Sequence, residues 1–150
     1  VALDDLGRAR LWRLREEHTA AISTNGVPHK FDVTVALSDL AEFIVKTRQR
    51  ISETNADWTV YIFGHAADGN MHVNVLGPSA TDELVDEVVL QVVAEFKGSI
   101  SAEHGIGRLK VNDLQHYGDP VKLTMMRAVK DALDPQGIMN PGAVLPPAGV

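Results

Sequence analysis

The dipeptide Asp68-Gly69 constrains this chain more than any other feature, because two short apolar runs flank it. Val60-Tyr61-Ile62-Phe63 leads in, and Val73-Asn74-Val75-Leu76 leads out. Asp-Gly between such runs signals a two-residue type I′ hairpin turn, which needs positive φ at both central positions. An antiparallel hairpin is therefore expected over residues 58–76. On a two-residue turn Ala67 faces Asn70, Ala66 faces Met71, and His65 faces His72 with Cβ atoms about 5 Å apart. His72 and Asn74 are two apart and share one strand face. Two facing imidazoles with an amide beside them form half of a metal site. A single histidine reads as a surface or satisfied core residue. A longer loop would break the register, so the inference depends on the turn.

The remaining sequence bounds what surrounds this hairpin. A length of 150 residues suits one domain with a real core. The net charge of −6 argues against a nucleic-acid partner, yet leaves room for a local basic pocket that takes an anionic substrate. The absence of cysteine removes disulfides and thiolate metal sites, and leaves His and carboxylate as ligands. No apolar run approaches membrane-spanning length and there is no signal peptide. A cytoplasmic location is expected, peripheral to the inner membrane at most through the full-length protein. The chain begins at Val1 and runs at once into a helical pattern, which reads as a piece of a longer protein.

Leu3, Leu6, Leu11, Leu14 and Ile22 predict a first helix, stopped by Asn25-Gly26-Val27-Pro28. Residues 30–37 read as a strand with Phe31, Val33 and Val35 on one face. Ser38 is a candidate cap for a second helix carrying Leu40, Phe43, Ile44, Thr47 and Ile51. After the hairpin, Thr81 or Asp82 caps a third helix with Leu84, Val85, Val88, Val89, Val92 and Phe96. Gly98 ends it, and Ser99-Ile100-Ser101-Ala102 reads as a short strand. The fold class is α+β. The order from residue 30 is β-α-β-β-α-β, the ferredoxin-like pattern of an antiparallel sheet with helices on one face. An N-terminal helix precedes it, and C-terminal helices follow over 108–117 and 120–132. Asp134-Pro135 breaks the last helix, and the tail from Asn140 is expected to be extended.

A second dense region runs from Ser101 to Lys110. Topology alone does not put Glu103 beside the hairpin, since the fourth ferredoxin-like strand lies next to the first. If loops bring it there, Glu103 completes a two-His, one-carboxylate site with open positions. His104 would then be a titratable group near metal and substrate, suited to act as a general base. The plain alternative is a polar strand end followed by a flexible Gly105-Ile106-Gly107 loop. These glycines lack phosphate-loop spacing. Arg15 and Thr19 are four apart on the predicted first helix, hence on one face. Taken alone, Arg15 reads as a solvated helix charge, Lys30 as a strand-edge residue and Lys110 as a solvated helix residue.

In combination these motifs resemble the C-terminal domain of FAD-linked oxidases, the D-2-hydroxyacid dehydrogenase group of the vanillyl-alcohol oxidase superfamily. That group includes D-lactate dehydrogenase, D-2-hydroxyglutarate dehydrogenase and the flavin subunit of glycolate oxidase. The matching pieces are Leu11 to Glu16, Lys30 to Val35, Gly64-His65 through Asn74, Ser101 to Lys110, and Leu133 to Gly142. They run through nearly the whole chain in the family's order. Ala66-Ala67 stands where the family usually has an apolar residue and Gly, and Ala102 where Gly is common. Neither change removes a ligand.

The resemblance implies that residues 1–150 form the cap and substrate-binding domain of a two-domain flavoenzyme, whose FAD-binding domain is not in this chain. It implies that His65, His72 and Glu103 bind a divalent metal, zinc or manganese, and that His104 is the catalytic base. Arg15, Thr19 and Lys30 correspond to substrate-carboxylate contacts, and Asn74 to another substrate contact. Asn140 corresponds to a segment that returns toward the flavin. The implied reaction oxidises a small 2-hydroxy acid (D-lactate, D-2-hydroxyglutarate or glycolate) to the 2-oxo acid, with hydride passing to FAD. The partners implied are that acid and the FAD-binding domain, and an apolar surface left uncovered would favour a homodimer. The chain by itself is expected to be inactive. Two rival readings are a non-catalytic ferredoxin-like module that binds metal or a small molecule, and a metal hydrolase.

Overall fold

Apolar residues at alternate strand positions decide how the sheet is covered. The computed structural model describes residues 1–147. Its strands are β1 (His29–Thr34), β2 (Thr59–His65) and β3 (Asn70–Leu76), in one antiparallel sheet of order β1-β3-β2. Phe31 and Val33 of β1 and Met71, Val73 and Val75 of β3 point to the same side and are buried. They pack on Phe43 and Ile51 of α3 (Leu40–Thr54) and on Val85, Val88, Val89, Val92 and Val93 of α4 (Leu84–Glu95). Each fully buried aliphatic side chain contributes about 1.5–3 kcal/mol, so this layer holds the domain together.

The segment after α4 runs along the free edge of β1. Thr34 and Ser99 exchange backbone hydrogen bonds, and the Ala102 N–H donates to the Asp32 carbonyl. The expected β-α-β-β-α-β order is therefore present as an α+β fold with α3 and α4 on one face. The fourth strand is reduced to a single bridge at Ser99. Serine chemistry explains this. The Ser99 hydroxyl donates to the Ser101 carbonyl and accepts from the Ser101 N–H, and such local bonds compete with a ladder.

Other boundaries differ from expectation for local reasons. The first helix is divided at Glu17 into α1 (Asp5–Glu16) and α2 (His18–Ser23). His18 Nδ1 donates to the Arg15 carbonyl at 2.8 Å, occupying an acceptor that the helix ladder would use. Strand β1 stops at Thr34 rather than 37. Ser38 does not cap α3: its hydroxyl donates to Asp39 Oδ1, inside a 3-10 turn at Leu37–Asp39 that leads into the helix. Asp82 accepts the N–H of Leu84 at the start of α4. At its end Lys97, not Gly98, takes the left-handed conformation, with φ 52°. Gly98 is needed for another reason, because a Cβ there would collide with the Thr34 carbonyl.

The C-terminal helices are α5 (Val111–Tyr117) and α6 (Pro120–Leu133), the latter capped by Asp119 with Pro120 in its first turn. The tail is turned back rather than extended. Buried Asp134 accepts from the N–H groups of Ile138 and Met139 and from Lys130 Nζ at 2.5 Å. The Val144 N–H then donates to the Gly107 carbonyl. Helices α1 and α6 bury no residue: Leu3, Leu6, Leu11, Trp12 and Leu14 are exposed around the first, and Val121, Met125, Val129 and Leu133 along the second. Among the described residues no helix is long and apolar enough to cross a membrane.

Two tests follow from these local features. Lys97→Gly removes a left-handed non-glycine residue and should raise stability by about 0.5–1 kcal/mol in chemical denaturation. The Lys130 ammonium, aided by the two N–H groups, holds the Asp134 carboxyl below its ordinary value despite burial. A carboxyl lowered in the folded state stabilises fully above its unfolded pKa of about 3.9, and this is lost as pH falls through the folded value. Asp134→Asn should therefore lower the thermal midpoint at neutral pH, and its difference from the parent chain should shrink below about pH 4.

Candidate functional site

The sheet face turned away from α3 and α4 carries polar residues in register. Antiparallel pairing aligns Lys30, Asn74 and Tyr61 in one row. Asp32, His72 and Phe63 make the next, and Thr34, Asn70 and His65 the third. The alternation that buries Phe31, Val33, Met71, Val73 and Val75 on one side thus gathers Lys30, Asp32, His65, His72 and Asn74 on the other.

The hairpin differs from the expected turn. Its loop has four residues, Ala66 to Gly69, and His65 pairs with Asn70 while His72 pairs with Phe63. The register has slipped by two residues. An even slip keeps each side chain on its own face, whereas a slip of one would have moved His65 to the other side. His65 and His72 therefore still meet, as diagonal neighbours with ring centroids 5.6 Å apart and planes at 89°. The longer loop is held by bonds within it and by one to β1's end. The N–H groups of Asp68 and Gly69 both donate to the His65 carbonyl, and Asp68 Oδ1 accepts from the Asn70 N–H. Gly69, at φ 75°, then offers its carbonyl to the Val35 N–H beyond the end of β1.

Loops do bring Glu103 to the hairpin. Its Oε1 lies 3.2 Å from His65 Nδ1 and accepts from Asn70 Nδ2. Donor atoms of His65, His72 and Glu103 all lie within 4.8 Å of one another. His104 is beside them in sequence but its ring is exposed, with Nδ1 3.8 Å from Asp32 Oδ2. The residue that ties these pieces together is Asp32, which the motif reading passed over. It is 4% exposed, and its Oδ2 accepts from the N–H groups of Glu103 at 2.7 Å and His104 at 3.1 Å. Its Oδ1 is 3.5 Å from His72 Nδ1 and has no hydrogen-bond partner. Burial pushes the Asp32 carboxyl up, but the two N–H groups and the charges of His104 and His72 outweigh this and hold it below the ordinary carboxylate value. Asn70 was also passed over, although its buried amide meets Glu103. A charged residue in mid-strand was the available signal for Asp32, since Asp is depleted there.

The other expected site residues are distributed as follows. Arg15 reaches the cluster from α1, with Nη2 3.5 Å from His65 Nε2 and its guanidinium over the Trp12 ring. Thr19 falls in α2, beyond the break at Glu17, so it does not share a continuous helix with Arg15. His18 of α2 stacks on Phe63 with centroids 5.2 Å apart, which seats these helices over the β2 edge. Lys30 and Asn74 are register partners, the first exposed and the second buried. Asn140, at φ 47°, accepts from Arg108 Nη2 at 3.4 Å and so is joined to the loop that follows Glu103-His104. A cavity of about 760 Å³ lies elsewhere, between Lys97 to Ile100 and the helices α5 and α6, and contains none of these residues. The side chains of the cluster are part-exposed: 34% for His65, 24% for His72 and 49% for Glu103.

Two imidazoles and a carboxylate are a donor set for zinc or manganese, with coordination positions left over for a substrate. Two ligands of one tetrahedral ion stand about 3.4 Å apart. His65 Nδ1 and Glu103 Oε1 are 3.2 Å apart, and one donor atom from each of the three residues lies within 4.8 Å of the others. Asp32 behind His72 is the kind of carboxylate that orients a metal-binding imidazole.

Residues 1–144 match the family described as FAD linked oxidases, C-terminal domain. A D-2-hydroxyglutarate dehydrogenase of Xanthomonas citri pv. viticola is 38% identical over 150 residues, covering 95% of this chain and 32% of that protein. One from Stutzerimonas stutzeri is 37% identical, covering 89% of this chain and 30% of its own. The mitochondrial D-2-hydroxyglutarate dehydrogenase of Rattus norvegicus is 36% identical, covering 97% and 28% respectively. The chain spans about a third of the length of these relatives.

Gly69→Ala tests the turn on which the cluster depends. The new Cβ would strike the Val35 carbonyl at a positive φ, so a loss of about 2 kcal/mol or more is expected in chemical denaturation.

Proposed function

The chain belongs to the C-terminal domain family of the FAD-linked oxidases, and we propose that residues 1–150 are the substrate-binding cap of an FAD-dependent D-2-hydroxyacid dehydrogenase. The observation that carries this reading is the convergence of His65, His72 and Glu103 on one sheet face, with Arg15 reaching the same point. The names of the relatives favour D-2-hydroxyglutarate over D-lactate and glycolate as the acid oxidised. The partner is an FAD-binding domain, and the exposed apolar residues of α1 and α6 are the surfaces we assign to it or to a second copy. We assign the protein to the cytoplasm, or to the periphery of the inner membrane through the full-length protein, with a mitochondrial location when the chain follows its mitochondrial relatives.

In this proposal His65, His72 and Glu103 hold a zinc or manganese ion. The ion supplies Lewis acidity that lowers the pKa of a hydroxyl beside it, and the flavin supplies the hydride acceptor. His104 accepts the hydroxyl proton at a ring nitrogen as the C2 hydride leaves, so the 2-hydroxy acid becomes the 2-oxo acid. Arg15 grips the carboxylate through its two-pronged guanidinium, and Lys30 adds a point charge on the same sheet face. Thr19 donates a hydroxyl hydrogen bond to that carboxylate, and Asn74 an amide one to the substrate. Asn140, tethered through Arg108, is assigned to the segment that returns toward the flavin.

The test uses the full-length flavoprotein, mixed without oxygen with D-2-hydroxyglutarate, D-lactate or glycolate while flavin bleaching is followed. D-2-hydroxyglutarate should reduce it fastest. His104→Ala should slow reduction by about 10²–10⁴-fold with FAD still bound, and near-normal reduction would refute the base assignment. Chelator treatment should remove activity that zinc or manganese restores. A protein that bleaches with none of the three acids would sink the whole reading.

A further inference from the structure

Asp32 sits in the middle of β1, where its carboxylate is removed from water and has the backbone of one loop on one side and an imidazole on the other. Burying a charge costs several kcal/mol unless it is paired and hydrogen-bonded, so such a residue needs a compensating role. Three hydrogen bonds hang the corner at residues 102–104 on this one residue. The Ala102 N–H donates to its carbonyl, and the Glu103 and His104 N–H groups donate to its Oδ2. The other oxygen, Oδ1, is buried without a hydrogen-bond partner, and the nearest imidazole nitrogen to it is His72 Nδ1 at 3.5 Å.

We propose that Asp32 is a positioning residue that sets two of the three metal donors at once, Glu103 through its backbone and His72 through its tautomer. This rests on the metal reading of His65, His72 and Glu103. The His72 proton is held at Nδ1 by the facing carboxylate, which leaves Nε2 with its lone pair free for an ion. The same carboxylate fixes the corner from which Glu103 reaches across to the hairpin, and which also carries His104. A strand residue opposite His72 in register thus couples β3, the second hairpin strand, to the loop after α4.

Asp32→Asn separates this role from a merely structural one. The amide oxygen can still accept the Glu103 and His104 N–H groups, so the corner is retained. The amide nitrogen then faces His72 Nδ1 as a donor, which drives the imidazole proton to Nε2 and removes that nitrogen as a ligand. Zinc affinity of the full-length protein, measured by competition with a chelating dye, should fall about 10–100-fold in Asp32→Asn, with the metal-free thermal midpoint little changed. His72→Ala should abolish site-specific binding. If zinc binds the parent protein and His72→Ala loses it while Asp32→Asn keeps full affinity, the role of Asp32 is overturned and the metal reading stands. If the parent protein binds no zinc, or His72→Ala binds it equally well, the metal reading fails and this inference with it. Should Asp32→Asn not fold, ¹⁵N-labelled histidine spectra of the parent protein decide: an Nδ1–H tautomer at His72 is expected, and an Nε2–H tautomer overturns the proposal.

Discussion

Everything in this domain depends on three short strands having two unlike faces. Val33, Val73 and Val75 are wholly buried against α3 and α4, and that layer leaves the opposite side chains no choice of direction. The cost of turning those valines to water, about 1.5–3 kcal/mol each, is what holds Asp32, His72 and Asn74 on the site face. The chemistry of the site is thus positioned by burial on the other side of the sheet. None of the site residues needs to supply much folding energy itself.

Register follows from the same constraint. The expected two-residue turn and the observed four-residue loop differ by two positions, and both leave His65 and His72 on one face. The alternating pattern admits either. Contact beyond the hairpin favours the longer loop, because the Gly69 carbonyl takes the Val35 N–H, while inside the loop the Asp68 carboxylate takes the Asn70 N–H. The histidines are consequently diagonal neighbours, and this leaves His65 free to meet Glu103 on one side and Arg15 on the other.

The site is assembled from four separate stretches: α1, β1, the hairpin and the corner after Ser99. Asp32 joins two of them by hydrogen bonds, and Asn70 joins the hairpin to Glu103. Both were hidden among strand residues, since neither belongs to a spaced pair that draws notice. The cluster's side chains are part-exposed, and α1 and α6 carry unburied apolar residues.

Sequence alone determined the α+β class, the β-α-β-β-α-β order, the apolar faces of β1, α3 and α4, and the histidine pair with Glu103 as its third candidate. Those features are local: each depends on period-two or period-3.6 alternation, or on a short motif, and such patterns can be read within a single segment. Only the tertiary structure decided the four-residue loop, the reduction of the fourth strand to one bridge, the break at Glu17, the turned-back tail and the hub at Asp32. Each of these rests on a hydrogen bond that local alternation does not specify. His18 takes the carbonyl of Arg15, Ser99 bonds to Ser101, and Asp134 gathers the tail, while Val35 reaches Gly69 and Asp32 reaches Glu103 across the fold. Periodicity reports which side of an element is buried. It carries no information about which buried polar atom meets which, and at this site that pairing decides where the donors sit.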